Sequence, residues 1–137
     1  MLLHEFLTRQ ASVTPNAPAV RMGSESLSYG ELESLSSRIA SLLRELGVHR
    51  HDRVCLLLPK SPLTVAAMLG ALKADCIYVP LDLASPPVRL AKILVTADPA
   101  VVFANRDSGA HQLEALRDQG VLAAARDRKS TRLNSSH

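Results

Sequence analysis

An α/β fold built on a mainly parallel sheet is predicted by three features of this 137-residue sequence. Segments with strand character alternate with segments of helical periodicity along the chain. Three of the strand-like segments, Arg53–Leu58, Cys76–Val79 and Ala100–Ala104, are nearly continuous apolar runs. Strands covered on both faces read this way, whereas a half-solvated strand alternates apolar and polar residues. The first two runs enclose a helical segment, and strand, helix and strand within about 25 residues make a βαβ unit of right-handed sense.

The elements follow in order. Leu2, Leu3, Phe6 and Leu7 recur at helical spacing and predict a short first helix. Thr14-Pro-Asn-Ala-Pro18 ends it, since proline removes a backbone donor and clashes with the preceding turn. Ala19–Met22 reads as a strand, Gly23–Ser26 as a turn, and Leu27-Ser28 as the start of the return strand of a hairpin. Ser28 and Glu31 have capping-box spacing, each side chain able to take a free amide at a helix start. Leu32, Leu35, Ile39, Leu42, Leu43 and Leu46 then form one apolar stripe, and Gly47 closes the helix at a position that favours positive φ. After the Arg53–Leu58 strand, Ser61-Pro62 has cap-then-proline order and opens a helix over Leu63–Ala74. Ser85-Pro-Pro87 opens another, with Leu90, Ala91, Ile93 and Leu94 as its apolar face and Asp98-Pro99 as its stop. Beyond Ala104 a helix is expected over Ser108–Gln119, with a strand starting at Val121-Leu122.

Composition narrows the function classes. Apolar residues make up 47% and charged residues 21%, ordinary globular usage. Aromatics are only 3% and Trp is absent, so the core has to be aliphatic. The net charge of +3 is unevenly placed. Residues 127–137 hold three basic residues and one acidic one, leaving a nearly neutral body that offers no electrostatic footprint for nucleic acid. The N-terminus lacks a basic start followed by an apolar run, so a signal peptide is not expected there. The longest mostly apolar stretch, Leu63–Leu72, falls well short of the roughly 20 residues of a membrane span. A cytoplasmic protein without membrane or nucleic-acid partners is expected. Cys55 and Cys76 have no paired spacing and read as buried free thiols.

No residue is nominated as catalytic, cofactor-binding or metal-ligating. Lys73 could reach a phosphate, but it is expected to be a solvated residue at a helix end, where a cation is favourable. His49 and His51 stand two apart in a polar loop without a nearby Cys or carboxylate cluster, which is poor metal geometry. Asp52 and Arg53 are expected to form a local surface pair. Neither G-x-x-x-x-G-K-[ST] nor G-x-G-x-x-G occurs in the chain.

Several segments carry a family resemblance. Leu27-Ser-Tyr-Gly-Glu-Leu32 resembles the L-[TS]-Y-x-E-L motif of adenylation domains, and Leu72-Lys-Ala-Asp-Cys-Ile-Tyr-Val-Pro-Leu-Asp82 their L-K-A-G-x-A-Y-V-P-L-D. Gly47-Val-His-Arg-His-Asp-Arg-Val54 resembles G-V-x-x-G-D-R-V, and Pro86-Pro-Val-Arg89 a following P-x-x-R. The opening, from Leu2 to Val20, is also similar to the usual start. Five matches in family order, from residue 2 to about 104, identify the chain as resembling the amino-acid adenylation domain of a nonribosomal peptide synthetase, within the acyl-adenylate-forming superfamily. Asp75 and His51 stand where the family has Gly, and Leu83 where it has Pro. A Gly at position 75 would suit positive φ, which Asp tolerates less easily.

The resemblance implies that residues 1–126 are the N-terminal part of an AMP-binding domain, an incomplete piece of its large subdomain. It implies an intact enzyme that uses ATP and Mg²⁺ to activate an amino acid or other carboxylate and passes it to phosphopantetheine on a downstream carrier domain. The family's phosphate loop, ribose-binding acid, substrate pocket and catalytic lysine lie beyond the matched segments, so the piece is expected to be inactive, with no cofactor of its own. Tyr29, Glu31, Tyr78, Pro80 and Asp82 are expected to be scaffold. A fragment of an acyl-CoA or fatty-acyl-AMP ligase and a complete small α/β binding module are the alternatives. Asp127–His137 resembles the translation, in one frame, of a common sequencing-library adapter and is expected to be a disordered tail.

Overall fold

The computed structural model describes residues 2–118. The chain runs α1 (Leu3–Val13), β1 (Pro18–Met22), β2 (Glu25–Ser28), α2 (Tyr29–Glu45), β3 (Arg53–Leu57), α3 (Pro62–Lys73), β4 (Ile77–Pro80), α4 (Pro87–Ala97), β5 (Val101–Ala104) and α5 (Arg106–Asp118). The expected α/β alternation is therefore present. Helix α5 starts two residues before the expected Ser108. The strand expected at Val121-Leu122 and the tail 127–137 lie outside the described residues. The described residues divide into two compact units, one of residues 2–52 with 60–78, the other of residues 53–59 with 79–118.

The first unit holds the hairpin and helices α1, α2 and α3. Strands β1 and β2 pair antiparallel, with Met22 opposite Glu25, so the connecting loop is only Gly23-Ser24. The expected capping box opens α2. The Ser28 hydroxyl accepts from the Glu31 amide at 3.1 Å, and the Glu31 carboxylate accepts from the Ser28 amide at 2.8 Å. These bonds to Ser28, its backbone amide first, hold the Glu31 carboxyl below its ordinary value of 4.5. The stripe on α2 buries Leu32, Leu35, Ile39 and Leu43. Its main partner is α3, which buries Ala66, Ala67, Leu69, Gly70 and Ala71. The small residues let the two helices approach closely. A Cβ added at Gly70 would lie 2.6 Å from Ile39 Cγ2 and 3.0 Å from the Ser36 carbonyl.

Lys73 departs from the expectation of a solvated helix-end residue. Its ammonium donates to the Glu33 carboxylate, to the Glu33 carbonyl at 3.2 Å and to Ser37 Oγ at 2.8 Å. The side chains of Lys73 and Glu33 are only 10% and 26% exposed. A long lysine at the end of α3 reaches the facing helix more readily than it reaches water, because α2 presents a carboxylate and a hydroxyl four residues apart on one face. The Glu33 carboxylate also accepts from Thr8 Oγ1 at 3.1 Å, joining α1 to the same network. Arg44 of α2 donates to the Lys73 carbonyl at 2.9 Å, satisfying one of the orphan carbonyls at the end of α3.

The second unit is organised on β3. Val54, Cys55, Leu56 and Leu57 are each at most 1% exposed, as the continuous apolar run predicts. The sheet order is β4-β3-β5. Strand β5 runs parallel to β3, with Val54 opposite Val101 and Leu57 opposite Ala104. Residue numbers also rise together toward β4: the Ile77 amide donates to the Asp52 carbonyl and the Leu81 amide to the Leu56 carbonyl, both at 2.9 Å. The unit's core is Cys55, Leu57, Leu81, Leu90, Ala91, Leu94, Ala104 and Leu116, aliphatic as the composition requires.

Two helices end in the same motif with different residues at the left-handed position. After α2, Gly47 has φ +81°, its amide donates to Arg44 and the Val48 amide donates to Leu43. After α3, Asp75 has φ +60°, its amide donates to Leu72 and the Cys76 amide donates to Ala71. Both are Schellman caps, which strongly favour Gly at this position. His51, at φ +69°, is the third residue of a turn closed by the Asp52 amide on the His49 carbonyl, another place that favours Gly. The two sites at which the sequence departs from the family's Gly are thus both left-handed, and the His51 amide donates to the Asp75 carbonyl at 2.8 Å.

Asp75→Gly is expected to raise the free energy of unfolding by up to about 1 kcal/mol, and Asp75→Val to lower it by more than about 1 kcal/mol. Urea unfolding midpoints compare the two, and a Gly variant less stable than the parent would show that Asp75 is not strained. By the same measurement Gly70→Ala should cost about 1–3 kcal/mol through overpacking against Ile39. Lys73→Met should cost roughly 1–3 kcal/mol by leaving the Glu33 carboxylate part-buried without its partner. Combining Lys73→Met with Glu33→Leu should restore part of that loss.

Candidate functional site

The residues singled out from the sequence fall in two places. The loop before β3 and the turn before β4 meet in the first unit through the His51–Asp75 backbone bond. Asp52 does not form the expected pair with Arg53. Its carboxylate accepts from the His49 amide at 2.8 Å, bracing the turn that holds His51. A carboxylate one residue from a backbone-linked arginine has less to gain from it than from a donor amide already aimed at it. His49, Arg50 and His51 are exposed. No group of three or more His, Cys, Asp or Glu side chains placed to hold a metal ion occurs among the described residues.

In the second unit Arg53 has its own task. Its Nε donates to the Ala97 carbonyl at 2.7 Å and its guanidinium to the Asp98 carbonyl at 3.1 Å. It therefore caps the C-terminus of α4, where carbonyls lack helical partners and a cation is favourable. Asp98 itself is left-handed at φ +47°, the stop expected from Asp98-Pro99. Sequence reasoning missed this role because the partners lie 44 and 45 residues away.

The strand order of the parallel sheet is a recognisable geometry. Strand β3 comes first in the chain yet lies in the middle, with β4 added on one side and β5 on the other. In open parallel sheets, ligands settle beyond the carboxyl ends of strands at such a reversal. Here the reversal lies between β3 and β5, whose carboxyl ends are Leu57 and Ala104. The first turn of α5 rests on them. A Cβ at Gly109 would lie 3.5 Å from the Leu57 carbonyl and 3.7 Å from Ala104 Cβ. Asn105 opens this turn, its side-chain oxygen accepting from the Asp107 amide and its carbonyl from the Gly109 amide, both at 2.8 Å.

The motif residues lie at the start of α2, in β4 and in the turn after it. Glu31 caps α2, and the Tyr29 amide donates to the Ala17 carbonyl at 3.0 Å. Tyr78 and Pro80 belong to β4. Asp82 turns the chain after it, its carboxylate accepting from the Ala84 amide at 2.9 Å and its carbonyl from the Ser85 amide at 3.0 Å. Both cysteines are buried free thiols, as expected. Burial pushes the Cys55 thiol up to about 11, opposed only by Arg53. Burial first, then the charges of Asp52 and Asp75, raise Cys76 against the opposing Arg44. At neutral pH both stay protonated, and a protonated thiol is neither a nucleophile nor a good metal ligand.

Comparison with known proteins gives this geometry a family. Residues 7–136 match the AMP-binding enzyme family. The AM-toxin synthetase AMT1 of Alternaria alternata is 41% identical over 102 residues, 74% of this chain and 2% of that protein. An L-proline--[L-prolyl-carrier protein] ligase of Streptomyces coelicolor is 35% identical over 118 residues, 86% of this chain and 21% of that protein. Among solved structures, the nonribosomal peptide synthetase FmoA3 superposes with a TM-score of 0.72 at 38% identity, covering 77% of this chain and 11% of that one. The chain therefore spans only a small part of the relatives it matches. On its matched residues and its fold, the chain belongs to the AMP-binding enzyme family, in the company of nonribosomal peptide synthetases.

Proposed function

We propose that the polypeptide to which these residues belong activates a carboxylate with ATP, giving an acyl-adenylate and pyrophosphate, and that its carboxylate is an amino acid destined for nonribosomal peptide synthesis. The observation that carries this reading is the pair of motifs, Leu27–Leu32 and Leu72–Asp82, in a chain 41% identical to a peptide synthetase over 102 residues. The wording Tyr78-Val-Pro-Leu-Asp82 favours amino-acid activation over a CoA or fatty-acyl ligase. A prolyl-carrier protein ligase among the relatives supports transfer of the product to phosphopantetheine on a carrier domain. A cytoplasmic setting fits this chemistry, and no helix among the described residues is long and apolar enough to cross a membrane.

In this reading the described residues supply no cradle for ATP and Mg²⁺ by themselves. Lys73, the lysine within a motif, has its three ammonium donors on Glu33 and Ser37. Two of the carboxylates of the motif segments, those of Glu31 and Asp82, hold backbone amides. In this reading no described residue is catalytic, cofactor-binding or metal-ligating, and residues 1–126 are scaffold for a site completed by other parts of the domain. Residues 127–137 are read as an adapter-derived tail, although the family match runs to residue 136.

Purified residues 1–126 should show no amino-acid-dependent ATP–pyrophosphate exchange above a no-enzyme blank. Exchange above that blank would mean that the phosphate-binding groups lie within this piece. The full-length polypeptide should exchange with an amino acid and not with a fatty or aryl acid, and the opposite preference would replace the amino-acid reading by the ligase one. Genomic DNA at this locus should diverge from the present sequence after codon 126. Native codons for residues 127–137 would refute the boundary.

A further inference from the structure

We draw no further inference here: the strongest candidate, the exposed apolar stripe of Leu3, Phe6 and Val13 along α1 with Leu2 at its start, is an unpartnered helix face, and nothing in the structure shows what covers it.

Discussion

Four consecutive residues shut off from water set the terms for the second unit. Val54, Cys55, Leu56 and Leu57 sit at or below 1% exposure, so every backbone amide and carbonyl of that stretch needs a partner inside the protein. A strand with a neighbour on each edge supplies those partners, and β3 has β4 and β5. Parallel neighbours require crossover helices, and the helices bring the apolar faces that the strand needs. Leu90, Leu94 and Leu116 answer that need from α4 and α5. Cys55 belongs to the same logic: it serves as a small hydrophobe, and burial suppresses its ionisation rather than preparing it for chemistry.

The turns into the parallel strands carry the strain. His51, Asp75 and Asp98 lie two or three residues ahead of β3, β4 and β5, and each is left-handed without being glycine. A helix that must stop and send the chain back toward a sheet does so most compactly through one left-handed residue. Asp and His enter that region more readily than bulkier side chains do, which limits the cost. The neighbourhood compensates through hydrogen bonds. The His51 amide bonds to Asp75, the Asp52 carboxylate holds the His49 amide, and Arg53 covers the last carbonyls of α4. The first of these links two segments that the sequence separates by more than twenty residues.

Within the family motifs the polar residues divide the task of shaping the chain. Ser28 and Glu31 start a helix, Lys73 clamps α3 to α2, and Asp82 turns the chain after β4. Each polar group is engaged by a neighbour. Such contacts hold these segments of the domain in shape. The motifs therefore report family membership strongly and shape the chain around them.

Much of this was legible in the sequence. The unbroken run at Val54–Leu58, the Ser28–Glu31 spacing, the stripe from Leu32 to Leu46 and Gly47 after it determined the elements, because helix and strand periodicity and end-capping are local properties of the chain. The motif wording determined the family for the same reason, since it needs no knowledge of what touches what. Tertiary structure alone decided the partners of the long polar side chains. Lys73 was expected in water and lies instead on Glu33 and Ser37, and Arg53 was expected on Asp52 and lies on the end of α4. A lysine or arginine reaches several ångströms along a flexible stem, so its partner depends on which helix the fold brings opposite, and that is set by packing across about 40 residues of chain rather than by its neighbours in sequence.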